Sequence, residues 1–410
     1  MASSPSTETG PSIKTGPSTE TGPSTTARPV ASSRTRAGRD YRLDFFRGLA
    51  LLFIFIDHIP DNAISYFTLR SFAFCDAAEV FIFISGYTAA LAYAPVFERE
   101  GLAMGVARIY KRVWQLYIAH ICLFMIFNAE VGYTMKYLDN PLFADELAVG
   151  DYLNNPGEAF IRVLLLQFQP SLLNILPLYI VLLLGLPLLI LWLRKNVLIG
   201  LIPSAALWAG ANLFGWNMPG FPEGEFWYFN PFAWQFLFVI AACLGFTRAS
   251  GREHAHPPRW LRVGALIFVA VAAAISASWS LHDAVKRIPQ YILLPEAWFD
   301  KTMLPPARLL SILAIAIVVA AYCPRQSRFL TSRAGWIVVL CGQNSLEVFC
   351  LSILLAVMAN FVLSLAGYGF LIQIAVNVGG LVIMAGVGLL LAWFRAGGHL
   401  PASPRTETVA

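Results

Sequence analysis

The sequence predicts an all-α, polytopic membrane protein of about ten transmembrane helices with both termini cytoplasmic. Three observations carry this. Hydrophobic residues make up 57% of the chain and charged residues 13%, with a mean hydropathy of +0.63. Soluble domains carry about 25% charged residues. Apolar runs recur that are long enough to cross a bilayer, which takes about 20 residues. The basic residues alternate sides around these runs. With the N-terminus inside, 22 of the 29 Lys and Arg fall on the cytoplasmic side and seven outside. The reverse orientation would invert that ratio. The net charge of +5 is therefore a topological signal and does not point to nucleic acid.

Taken in order, residues 1–38 are rich in Ser, Thr, Pro and Gly, and Thr9-Gly10-Pro11-Ser12 recurs twice. Such a segment buries too little apolar surface to offset its ordering entropy, so it reads as a disordered cytoplasmic tail. Arg34, Arg36, Arg39 and Arg42 form a basic collar before the first span. Residues 39–396 read as one integral membrane domain and 397–410 as a short cytoplasmic tail. Spans are expected around Leu52, Ser85, Cys122, Leu183, Ala205, Ile240, Val271, Ala314, Phe349 and Ile383. The stretch from Ile161 to Phe168 reads as a re-entrant or interfacial piece. The expected outer loops are acidic, with Asp139, Asp145, Glu146, Asp151, Glu158, Glu223 and Glu225. Trp216, Trp227, Tyr228 and Trp234 suit an interfacial aromatic belt. No secretory signal is expected, because the first apolar run starts near Leu43. The six cysteines show no C-x-x-C spacing and read as unpaired thiols.

The polar residues inside the spans are the candidate chemistry, because ionisable groups in a membrane are costly. Arg47 and His58 are eleven residues apart, about three helical turns and roughly 16 Å, so they share a face. A cation in line with a deeper imidazole suits an extended anionic ligand, held at one end and reacting at the other. Arg47 alone reads equally as a snorkelling anchor, and His58 as an interhelical hydrogen bond. Asp57 and Asp61 flank the imidazole, Asp61 at i+3 if the helix continues past Pro60. Glu79, deeper than Asp76 in the second span, needs a partner or a proton. Ser85-Gly86 suits close helix packing. Arg108 and Arg112 at i,i+4 present a phosphate-binding face. Gly342-Gln343-Asn344-Ser345-Leu346-Glu347 places four polar residues in one short stretch, read as helix glue or a cavity lining.

Together these residues resemble the membrane-bound acyltransferase-3 superfamily. Asp44, Arg47, Gly48, Ala50 and His58 match its Asp-x-x-Arg-Gly-x-Ala start and Arg-x10-His spacing. Phe81 to Tyr87 is similar to its Phe-Phe-x-x-Ser-Gly-[Phe/Tyr] motif. Arg108 and Arg112 match the basic start of its third helix, with Gln115 where proline is common. Gly342-x-x-Ser345-Leu346-x-x-Phe349 resembles its late Asn-Ser-Leu motif, with Glu347 replacing the usual glycine. The narrower likeness is to the OpgC group, through Arg42 to Gly48, Asp57 to Pro60, Ala78 to Tyr87, and Ile175 to Tyr179.

The resemblance implies a multi-pass protein of the bacterial inner membrane that moves an acyl group from cytoplasmic acyl-CoA to hydroxyls of a periplasmic glucan or other envelope glycan. The OpgC likeness makes the donor succinyl-CoA. On this reading Arg47, with Arg108 or Arg112, holds the donor's phosphates, and His58 is the general base. Asp57, Asp61 and Glu79 are alternative orienting groups. Ser85 and Glu347 belong to the substrate environment, and Asn344 or Ser345 hydrogen-bonds thioester or acceptor. No metal or bound cofactor is implied. A transporter or flippase for an acyl or glycan substrate is the main rival, and a membrane scaffold the second.

Overall fold

A computed structural model describes residues 39–138, 149–150, 152, 155–252, 256–285, 294–325 and 327–399. The N-terminal repeats, most of the short C-terminal tail and the acidic residues Asp139, Asp145, Glu146 and Asp151 lie outside the described residues. Twelve α-helices occur among those described: α1 (Tyr41–Asp57), α2 (Ala77–Arg99), α3 (Gly101–Leu138), α4 (Pro156–Leu164), α5 (Ile175–Lys195), α6 (Val197–Phe214), α7 (Pro231–Ala249), α8 (Arg259–Val285), α9 (Pro306–Tyr322), α10 (Arg333–Gln343), α11 (Ser345–Ala366) and α12 (Phe370–Arg395). The class is all-α, with no strand among the described residues beyond one isolated bridge, Pro219 to Phe226.

Eight of these helices are long and apolar enough to cross a membrane: α2, α3, α5, α6, α7, α8, α11 and α12. The other two stretches expected to span form 17-residue helices, α1 and α9, and are not among the eight. That length is at the lower limit for spanning, about 17 residues. The Ile161 to Phe168 stretch contains the end of the nine-residue α4 and an irregular continuation.

Burial sorts the helices. Half or more of the apolar window of α2, α5, α7 and α11 is buried (50–61%), against 17–22% for α6, α8 and α12. A helix that is apolar all round belongs in a core or a membrane. Here the first group is the interior and the second supplies the outward-facing apolar surface, with Leu371, Phe394 and Leu213 among its exposed residues.

Glycines set the closest helix contacts. A methyl group at Gly48 of α1 would strike the Val338 carbonyl on α10, and one at Gly342 would strike the Asp44 carbonyl. Gly86 of α2 and Gly245 of α7 face the Phe238 and Tyr87 carbonyls in the same way. Ser85-Gly86 therefore does allow close packing, and two motif glycines, Gly48 and Gly342, are the two halves of one interhelical contact.

All six cysteines are free, with Cys122 exposed. The aromatic belt is corrected in part. Trp216 and Tyr228 are about half exposed, but Trp227 and Trp234 are buried. Trp234 Nε1 donates to the Lys301 carbonyl at 2.9 Å, so it holds a loop that reaches the site described next.

Candidate functional site

Helices α1 and α2 pack side by side and carry two polar clusters at opposite ends of their interface. At one end Arg47 Nη2 donates to Thr88 Oγ1 at 2.5 Å, and Thr88 Oγ1 donates back to the Ile84 carbonyl at 2.7 Å. At the other end the charges acting on the His58 imidazole are those of Lys301, Asp76 and Arg70. Asp76 caps the start of α2. The two helices are thus antiparallel, and Arg47 faces α2.

The Arg47 end opens into a cavity of about 210 Å³. Arg47, Ser85, Arg112 and Ser345 line it, with Thr88, Tyr179 and apolar residues including Phe81, Leu346 and Phe349. Along α2 its lining runs from Phe81 to Tyr93, roughly 18 Å of helix. The Phe81 ring contacts Tyr179 and Phe349 at centroid distances of 6.1 and 6.3 Å. Four of the expected substrate-binding residues, drawn from α1, α2, α3 and α11, therefore meet in one place.

Three others do not. Arg108 is exposed and pairs with Glu100 at 2.6 Å. An i,i+4 pair on a helix diverges at its tips when the two side chains find different partners, and only Arg112 turns to the cavity. Glu347 is exposed and pairs with Arg395 at 2.6 Å. It stands two residues past Ser345, about 200° around α11. Asn344 is buried at the joint between α10 and α11, where Nδ2 donates to the carbonyls of Leu340 at 2.8 Å and Gly388 at 3.4 Å. It is helix glue.

The His58 end is built differently from the expectation. Helix α1 stops at Asp57, and His58 is its C-cap, its backbone N–H bonded to the Ile54 carbonyl at 3.1 Å. Pro60 disfavours helical backbone at Ile59, so the helix does not continue. Asp61 is exposed, with a φ of 49°, and the i+3 argument for it fails. Asp57 accepts from Thr68 Oγ1 at 2.6 Å and lies 3.8 Å from Arg70 Nε. His58 Nδ1 is shut off from solvent, and the Ile54 backbone acts on the ring as a hydrogen-bond acceptor.

Glu79 has the partner the sequence could not name. Its fully buried carboxylate lies 2.6 Å from Arg308 of α9. Its other oxygen accepts from the Asp76 N–H at 2.9 Å, closing a capping box. This fits the rule that a first-turn carboxylate satisfies orphan N–H groups. Asp76 lies 2.7 Å from Lys301 Nζ and 3.1 Å from Arg308. Burial opposes the charge on Asp76, but Lys301 and Arg308 hold its carboxyl well below the usual range. Burial also opposes the charge on Lys301, and Asp76 and Glu79 raise its pKa above the ordinary lysine value.

Thr88, Lys301 and Arg308 are thus residues of the candidate site that the sequence reading missed. Comparison with curated proteins and with solved structures returns no match. A family model described as "OpgC protein" matches residues 39–396, nearly the whole helical body. That match implies a membrane-bound transferase of the acyltransferase type, acting in glucan modification. The chain belongs to the OpgC family.

Proposed function

We propose that this chain is an inner-membrane O-acyltransferase that moves an acyl group, succinyl by the family likeness, from cytoplasmic acyl-CoA to hydroxyls of a periplasmic glucan. The observation that carries this reading is the convergence of Arg47, Arg112, Ser85 and Ser345 on one cavity in an OpgC-family chain. Pockets that enclose whole small molecules measure about 300–1,000 Å³. A cavity of about 210 Å³ suits one end of an extended donor. Arg112, half-buried near the start of α3, takes the donor's phosphates, and Arg47, fixed by Thr88, steers the arm along α2.

His58 then stands about 16 Å further along α1, at the end nearest the acceptor. In the proposed step an acceptor hydroxyl gives its proton to the imidazole. Its oxygen bonds to the thioester carbonyl carbon, the tetrahedral intermediate collapses, the carbon–sulfur bond breaks, and the thiolate leaves with the proton from His58. Asp57 sits beside this group under the hold of Thr68 and Arg70.

The test is mass spectrometry of periplasmic glucans from deletion cells carrying wild type or His58→Ala at matched membrane levels. Succinyl-sized increments from wild type alone are expected. Equal acylation by both would remove His58 as the base, and unmodified glucans in both would remove the acceptor.

A further inference from the structure

A second cavity, of about 140 Å³, lies at the His58 end, on the opposite side of Asp76 from the donor cavity along α2. Its lining combines three aromatic rings, Phe74, Trp279 and Phe299, with Arg70, Asp76 and Arg308. The rings form one connected group. Phe74 stacks with Trp279 at 6.1 Å, and Phe299 meets both edge-on at 5.1 and 5.0 Å. Trp279 comes from α8, one of the least buried helices, so an aromatic reaches the cluster from the edge of the bundle.

The charges around this cavity balance. Arg70, Lys301 and Arg308 stand against Asp57, Asp76 and Glu79, with Arg70 paired to Asp57 and the other two cations to Asp76 and Glu79. Three cations facing three carboxylates offer no net charge to recruit an anion, so an acyl donor's phosphates and a free dicarboxylate are poor occupants. What the cavity does offer is an apolar platform and a rim of fixed donors and acceptors. Small-molecule sites have this make-up, mostly aromatic walls with a few placed polar groups. A pyranose ring has the matching surface, an apolar C–H face ringed by hydroxyls that both donate and accept.

We infer that this cavity is the subsite for one sugar ring of the acceptor, with Trp279, Phe74 and Phe299 packing on its face and Asp76 and Arg308 reading its hydroxyls. Arg70 ties the subsite to the base. It lines the cavity and pairs with Asp57, the residue before His58. This rests on the acyltransferase reading for its biological meaning, but binding is measured without transfer.

The experiment is a saturation-transfer NMR titration of the full-length protein in nanodiscs with short, neutral glucose oligosaccharides. Wild type, Trp279→Ala and Trp279→Tyr are compared, each with a melting curve to show that it is folded. Loss of about tenfold in saccharide affinity in Trp279→Ala, with Trp279→Tyr near wild type, is expected from removing one ring contact. Equal affinity in all three, no saccharide binding by wild type, or displacement of the sugar by succinate would each overturn the subsite. Trp279-dependent binding in a protein that transfers no acyl group would leave the subsite standing and remove the acyltransferase reading instead.

Discussion

Arg308 Nη2 lies 2.6 Å from Glu79 Oε1, joining α9 to a carboxylate with no solvent exposure. Bringing two charges into a low-dielectric interior is costly, and removing one partner strands the other, at about 3–5 kcal/mol. Arg308→Met is therefore expected to lower the melting temperature of the detergent-solubilised protein sharply. The double variant Glu79→Gln/Arg308→Gln should recover part of the loss, because no buried charge is left alone. Size-exclusion recovery after a temperature series checks both. A single variant that melts like wild type would show that the pair does not hold α2 to α9.

The glycine contacts give a second, independent test of the packing. Gly48→Ala and Gly342→Ala place a methyl against a backbone carbonyl, which cannot rotate away. Overpacking of this kind costs about 1–3 kcal/mol. Gly185→Ala on α5 meets open space and should be neutral or slightly stabilising, since alanine is the better helix former. Melting temperatures of the three variants should separate accordingly. Equal effects would mean that α1 and α10 are further apart than described.

The α1 motif was legible because its information is local. Helical phase alone put Arg47 on one face of α1, and the structure turns it to Thr88 of α2. The partners of Glu79 were not legible, because Arg308 is 229 residues away and a pairing at that distance leaves no mark on local periodicity. Glu347 was misread for a different reason. Sequence left the short polar stretch open between helix glue and a cavity lining, but Ser345 and Glu347 project in different directions from α11 and only Ser345 reaches the cavity. Asp61 failed on a single residue, since Pro60 ends the geometry on which the i+3 spacing depended. Arg108 failed because a shared helix face does not fix where two long side chains end.

The Asp76–Lys301 pair predicts a pH window for stability. The carboxyl of Asp76 is held below its ordinary value of 3.8, so its contribution is present above that pH and is lost as pH falls through the lower, folded value. The pKa of Lys301 is raised above 10.5. Its contribution is present below that pH and is lost as pH rises through the folded value. The difference in melting temperature between wild type and Asp76→Asn should be steady across this range and shrink at its acid edge. A difference that grows on acidification would contradict the pairing.

Arg108 and Arg112 separate the cavity from its surroundings most sharply. Both lie on α3 one turn apart, and sequence alone gave them one role. Arg108 is exposed and spends its charge on Glu100, an exposed pair of the kind worth about 0–1 kcal/mol. Arg112 lines the cavity with Arg47, where a charge-assisted hydrogen bond to a phosphate contributes about 1.5–3 kcal/mol. Arg112→Ala is therefore expected to raise the KM for acyl-CoA by about tenfold or more. Arg108→Ala should stay within about twofold of wild type. Initial rates over a donor series, with the glucan held saturating, read this directly. Equal losses in both variants would place the phosphates on the exposed face of α3, outside the cavity, and would leave Arg47 without a donor to steer.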